Sequence, residues 1–129
     1  MAGLDAALVD TARGLLGDLG PSCAESVLVH QDLHGANVLA ATREPWLVID
    51  PKPLSGERAF AVAPIVRSSE LGHSRAAVRR RLDHLCAELV LDRDRARGWT
   101  IAQSVAWAAG GDSSLVARNE QVVRWLVER

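Results

Sequence analysis

From Ser74 to the C-terminus the chain reads as three amphipathic helices in direct succession, and this run constrains the fold more than any other feature. Ser74 is an N-cap residue, and behind it Val78, Leu82, Leu85, Cys86 and Leu89 share one helical face out to about Leu91, while Arg75, Arg79, Arg80 and Asp83 fall elsewhere. Asp92 or Asp94 opens a second helix carrying Trp99, Ile101, Ala102, Val105 and Ala109, which Gly110-Gly111 ends; Gly98 stands inside it as a weak point. Asp112 or Ser113 opens a third, with Leu115, Val116, Asn119, Val122, Val123 and Leu126 on one side. Three such faces can be buried only against one another and against whatever precedes them, so this half of the chain is expected to be a helical core.

The first half is mixed. Leu4, Ala7, Leu8, Ala12, Leu15, Leu16 and Leu19 recur at helical spacing until Gly20-Pro21 stops the pattern. Three short apolar runs follow, Ser26 to His30, Asn37 to Ala41 and Trp46 to Asp50, each of strand length and bounded by polar or turn residues. Phe60, Val62, Ala63, Ile65 and Val66 suggest a further helix, with Pro64 either in its first turn or kinking it. The fold class expected is α+β, mainly helical, with short strands carrying loops.

Composition narrows the function. With 129 residues, 48% of them hydrophobic, the chain can bury one core. A net charge of -1 with 24% charged residues provides no basic surplus for a phosphate backbone, so nucleic acid is not expected as a partner. No apolar stretch approaches the roughly 18 residues needed to span a bilayer, and nothing near the N-terminus resembles a secretory leader. Cys23 and Cys86 lie far apart with no metal-ligand spacing. These features together point to a cytoplasmic protein with reduced thiols.

The chemistry lies in His30-Gln31-Asp32-Leu33-His34-Gly35-Ala36-Asn37, which sets Asp32 and Asn37 five residues apart between two expected strands, with Asp50 at the end of the third. Phosphoryl transfer needs an aligned acceptor hydroxyl and cations on the phosphate oxygens more than covalent help. In the pattern H-R-D-x-x-x-x-N an Asp accepts the hydrogen bond of the substrate hydroxyl, an Asn holds Mg²⁺, and a later Asp at a strand end also holds Mg²⁺. Asp32, Asn37 and Asp50 occupy those places, and a carboxylate with an amide oxygen is a hard donor set suited to magnesium. The plainer reading of Asp32, Gly35 and Asn37 is as turn formers. A zinc pair at His30 and His34 is disfavoured, because Gln31 replaces the glutamate of H-E-x-x-H and Gly35 spoils the helix.

The segments V-L-V-H-Q-D-L-H-G-A-N-V-L and W-L-V-I-D-P-K-P-L-S-G-E-R-A-F resemble the aminoglycoside and hydroxyurea phosphotransferases, the streptomycin 6-kinase-like group. That resemblance implies the C-terminal lobe of a protein-kinase-like fold, with ATP and Mg²⁺ as cofactors and a small-molecule hydroxyl as acceptor of the γ-phosphate. By position, Asp32 resembles the catalytic base, Asn37 and Asp50 the magnesium ligands, and His34 a residue near the transferred phosphate. Lys52 aligns with the family motif without a derivable role.

Two departures qualify this. The family pattern usually continues G-E-R-x-F-D-x-A or G-D-P-x-Y-D-x-A, and the expected Asp, an acid that typically anchors the catalytic loop in kinase-like folds, is Ala61 here. No glycine-rich phosphate loop, early-strand lysine or paired helix glutamate precedes His30. Residues 1–129 are therefore expected to form a single partial domain that lacks an N-terminal nucleotide-binding lobe and is weak or inactive by itself. The alternative is a non-catalytic remnant or interaction module that keeps the lobe's fold. Glu57, Glu70, Glu88, Asp92, Asp94, Asp112 and Glu120 are available to attract a cationic aminoglycoside, or else are solvated helix surface.

Overall fold

The structure is a computed structural model that describes residues 4–30, 38–40, 46–48, 53–109 and 111–128. Its architecture is α+β and mainly helical. In chain order come α1 (Ala6–Leu19), β1 (Val27–His30), β2 (Val38–Ala40), β3 (Trp46–Val48), β4 (Pro53–Gly56), α2 (Arg58–Ala61), α3 (Ala63–Val66), a single 3₁₀ turn (Ser69–Leu71), α4 (Arg75–Leu89), α5 (Arg93–Ala108) and α6 (Ser113–Val127).

Short polar side chains start each long helix by satisfying a backbone N–H that has no partner within the helix. Asp5 Oδ1 accepts from Ala7 N at 2.9 Å, Ser74 Oγ from Ala77 N at 3.0 Å, Asp92 Oδ1 from Arg95 N at 3.1 Å, and Asp112 Oδ1 from Leu115 N at 2.8 Å. The expected start sites are therefore correct, with Asp92 and Asp112 the caps chosen. At its other end α4 stops earlier than the periodicity suggests. Val90 turns into the left-handed region at φ 53° and closes the helix through its N–H to Cys86 O. That conformation is uncommon for a β-branched residue. Leu89 is consequently 44% exposed and does not share the buried face assigned to it from spacing.

Helix α5 is the centre of the molecule, packing against α1, α2, α3, α4 and α6. Leu8, Ala12, Val62, Val66, Val78, Leu82, Cys86, Ile101, Val105, Val122, Val123 and Leu126 close the core around it. Gly98 is the point where α1 crosses α5: a Cβ there would lie 2.9 Å from Leu19 Cδ1 and 3.3 Å from Leu15 Cδ2. The position read as a weak point in the helix is thus a contact point, where the missing side chain admits the neighbour. The expected helix around Pro64 is two four-residue helices broken at Val62, with Pro64 in the first turn of α3, where its missing N–H costs nothing.

Two arginines, Arg97 buried and Arg81 half-buried, act as connectors. Arg97 donates from Nε to Leu126 O at 2.5 Å and from Nη2 to Val127 O at 3.1 Å, placing a cation on the carbonyl end of α6. Arg81 gathers the carbonyls of Val66, Ser68, Leu71 and Gly72 through five hydrogen bonds of 2.7 to 3.2 Å, which ties α4 to the segment after α3. Gly72 permits this bend at φ 113°, where a side chain would also meet Ala77 Cβ at 3.3 Å.

A fourth strand, β4, was not foreseen among the three read from the sequence. It pairs antiparallel with β1, and Pro53 at its first position is where a strand tolerates a residue without an N–H. β2 pairs antiparallel with β3 in a separate two-stranded ladder. Among the described residues, no helix is long and apolar enough to cross a membrane.

Candidate active site

The two ladders frame the segments that carry the expected chemistry. The β1–β4 register ends at His30 opposite Pro53, and the β2–β3 register ends at Val38 opposite Val48. Residues 31–37 leave from His30 and reach Val38, while residues 49–52 leave from Val48 and reach Pro53. Both connections therefore begin and end on the same two ladder ends. Five residue steps separate Val48 from Pro53, so those ends can lie no more than about 18 Å apart. Asp32, His34 and Asn37 belong to the first connection and Asp50 and Lys52 to the second; all five lie outside the described residues. His30 is the last residue of β1, and the His34 of the disfavoured zinc pair lies outside the described residues. Among the described residues, no group of three or more His, Cys, Asp or Glu side chains could hold a metal ion.

At the other end of the β1–β4 ladder, where Gly56 pairs with Val27, lies a polar anchor. Glu57 follows β4, caps the start of α2 by position, and is only 7% exposed. Its carboxylate takes a bidentate pair from Arg95, Nη2 to Oε1 at 2.6 Å and Nε to Oε2 at 2.8 Å, and the Trp99 indole N–H also donates to Oε1. Arg95 reaches on to Leu19 O at 2.8 Å and Ser22 Oγ at 2.7 Å, so one guanidinium links the end of α1 to the residue that follows β4. Gln103 donates to Phe60 O at 2.7 Å, and Phe60 meets Trp99 edge-on with ring centroids 5.2 Å apart. Hydrogen bonds from Arg95 hold the Glu57 carboxyl below its ordinary value against the opposing pull of burial, with Trp99 adding to the effect. The same pair raises Arg95, so the pair stays ionised.

A second clamp lies beside it. Arg58 gives its N–H to Glu25 Oε2 at 2.8 Å and its Nε to Glu25 Oε1 at 2.8 Å, while Nη1 reaches Leu89 O at 3.1 Å, an exposed carbonyl at the end of α4. The triplet Gly56-Glu57-Arg58 thus fastens the β1–β4 ladder to the helical core on two sides. Chemically the anchor is spent: its donors and acceptors satisfy one another, and its work is to fix the Val27–Gly56 end of the ladder, the end opposite His30 and Pro53.

Several assignments change accordingly. Glu57 is neither a free acid for a cationic ligand nor solvated helix surface, because Arg95 neutralises it in a buried position. Asp92 and Asp112 are caps, and Glu120 pairs with Arg124 at 2.7 Å. The Arg95, Trp99 and Gln103 stripe was missed, although its spacing of four along α5 was visible and marks a single helical face aimed at Glu57 and Phe60. Ala61 ends α2 half-buried, with a methyl where the related pattern has a carboxylate.

The family described as aminoglycoside/hydroxyurea antibiotic resistance kinase matches residues 2–113. Streptomycin 6-kinase of Streptomyces griseus is 49% identical over 88 residues, covering 62% of this chain and 29% of that protein. Streptomycin 6-kinase of Streptomyces glaucescens is 45% identical over 117 residues, 79% of this chain and 38% of that protein. Hydroxyurea phosphotransferase of Kitasatospora aureofaciens is 39% identical over 131 aligned positions, 91% of this chain and 36% of that protein. The chain spans about a third of the length of these curated relatives. No solved structure matches it. With the family pattern running through both connections and on through Gly56-Glu57-Arg58, the chain belongs to the aminoglycoside/hydroxyurea antibiotic resistance kinase family.

Proposed function

We propose that this chain carries the catalytic and metal-binding loops of a phosphotransferase that moves the γ-phosphate of ATP to a hydroxyl of an aminoglycoside or a similar small molecule. In this reading the chain corresponds to the C-terminal lobe of a kinase-like fold. The observation that carries the reading is the shared framing of residues 31–37 and 49–52 by the His30–Pro53 and Val38–Val48 ladder ends. An acceptor hydroxyl donates a hydrogen bond to the Asp32 carboxylate, which aligns its oxygen on the γ-phosphorus; the new P–O bond forms as the β–γ bridge breaks, ADP departs and the hydroxyl proton passes to Asp32. By the family pattern, His34 is assigned a place near the transferred group. The Asn37 amide oxygen and the Asp50 carboxylate suit a hard cation, and magnesium held there would neutralise charge on the phosphate oxygens.

Ala61 supports one other reading, a module that keeps the lobe's fold without turnover, because the related pattern has an acid at this place. Titration calorimetry of Mg²⁺-ATP, followed by labelled-phosphate transfer to streptomycin and to hydroxyurea, separates the two. Magnesium-dependent ATP binding that is lost in Asp50→Ala, with transfer lost in Asp32→Ala while the fold persists, is the expected result. Transfer unchanged in either variant would overturn the residue roles. Binding without transfer, restored to transfer by Ala61→Asp, would assign the native chain to the non-catalytic reading.

A further inference from the structure

Away from both ladders, a hollow of about 220 Å³ opens between α3, the 3₁₀ turn, α5 and α6, lined by Pro64, Arg67, Ser68, Ser69, Glu70, Trp107, Leu115, Arg118 and Asn119. Its size is informative, since a cavity of roughly 150 Å³ holds a benzene ring, leaving room here for one ring and a small substituent. The wall suits such a ring. Trp107 is 49% exposed, an unusual surplus for an indole in a chain with a closed core, and Pro64 and Leu115 supply further apolar surface.

The charge of the hollow points the other way from a cationic ligand. Arg67 lies with its guanidinium 4.8 Å from the centre of the Trp107 ring, which fixes one cation on the wall. Arg118 projects from α6 and meets Ser69 Oγ only at 3.5 Å, the outer limit of a hydrogen bond. Among the described residues of the lining, the charged ones are Arg67, Arg118 and Glu70. The hydroxyls of Ser68 and Ser69 add neutral hydrogen-bonding capacity on the same rim. A guanidinium is a planar fork that matches a carboxylate or phosphate oxygen pair.

We infer that this hollow is a binding site for a small ring-bearing anion, a carboxylate or phosphate ester whose ring lies on Trp107 and whose oxyanion meets Arg118. The inference is independent of the phosphotransfer reading, because none of the residues invoked belongs to residues 31–37 or 49–52. Benzoate and benzamidinium test it, being the same ring with opposite charge. Both are titrated into the 129-residue chain while the Trp107 indole signal is followed in ¹H–¹⁵N spectra. Trp107→Phe identifies that signal.

Benzoate is expected to shift the Trp107 signal saturably, and benzamidinium to bind more weakly. Arg118→Gln should weaken benzoate about fivefold while leaving spectral dispersion intact, since Arg118 is exposed. An equal or tighter response to benzamidinium overturns the charge assignment. An unmoved Trp107 signal with benzoate, or an unchanged affinity in a well-dispersed Arg118→Gln spectrum, overturns the site.

Discussion

Removing the Glu57 carboxylate should unfold this chain more readily than any surface charge change. Glu57→Ala takes both Arg95 bonds and the Trp99 bond together. Arg95, whose side chain is 23% exposed, keeps Leu19 O and Ser22 Oγ but loses its counter-charge. The Trp99 indole N–H loses its acceptor. Breaking a buried pair from one side costs about 3 to 5 kcal/mol, because the other charge stays behind uncompensated. Partial access of water to Arg95 places the expected loss near the bottom of that range, about 3 kcal/mol. Against a typical stability of 5–15 kcal/mol, that is a large fraction. Urea unfolding followed by tryptophan fluorescence measures it, with Glu120→Ala as comparison, whose i,i+4 pair with the exposed Arg124 contributes about 0.3 to 0.5 kcal/mol. A Glu57→Ala cost under about 1 kcal/mol, or a Glu57→Ala/Arg95→Ala double variant whose loss equals the sum of the two single losses, would refute the anchor.

The acid limb of stability should carry the same signature: Glu57 is depressed in the folded state, so its contribution is present above the ordinary glutamate value of about 4.3 and fades as pH falls through the lower folded value. Unfolding at stepped pH should show this decline below about pH 4.3, and Glu57→Gln should flatten it. Arg81→Met leaves four carbonyls without their shared donor and should cost about 3 kcal/mol by thermal melting, with Arg81→Lys recovering only part because an ammonium cannot reproduce the fork. Gly98→Ala sets a helix-propensity gain of up to about 1 kcal/mol against crowding of Leu19 and Leu15 that costs about 1 to 3 kcal/mol. A net loss of about 1 kcal/mol is expected, and a stabilised variant would show that α1 can draw back from α5 without penalty.

Helix starts were legible because a cap is a local event: Ser74, Asp92 and Asp112 each bond an N–H three residues on, and no distant partner is required. The family motif was equally legible, since its meaning rests on residue order, and the strands on either side of residues 31–37 followed from short apolar runs, whereas the third run was read through to Asp50 and β3 ends at Val48. β4 escaped notice because a strand that opens on proline and contains serine and glycine has no alternating pattern; its pairing with β1 creates it. The reading of Glu57 as an available acid failed for a related reason. Burial and ion pairing are properties of neighbours, and its partner is 38 positions away on another helix. Likewise Gly98 looked like a flaw until α1, about 80 residues upstream, was seen to lean on it. By itself, the sequence determined the helix origins, the polarity of each face and the order of chemical groups in the two connections. Only the tertiary structure decided which charges were neutralised, which glycine was a contact and which tryptophan stayed open to solvent, because each of these depends on side chains that chain distance separates and packing brings together.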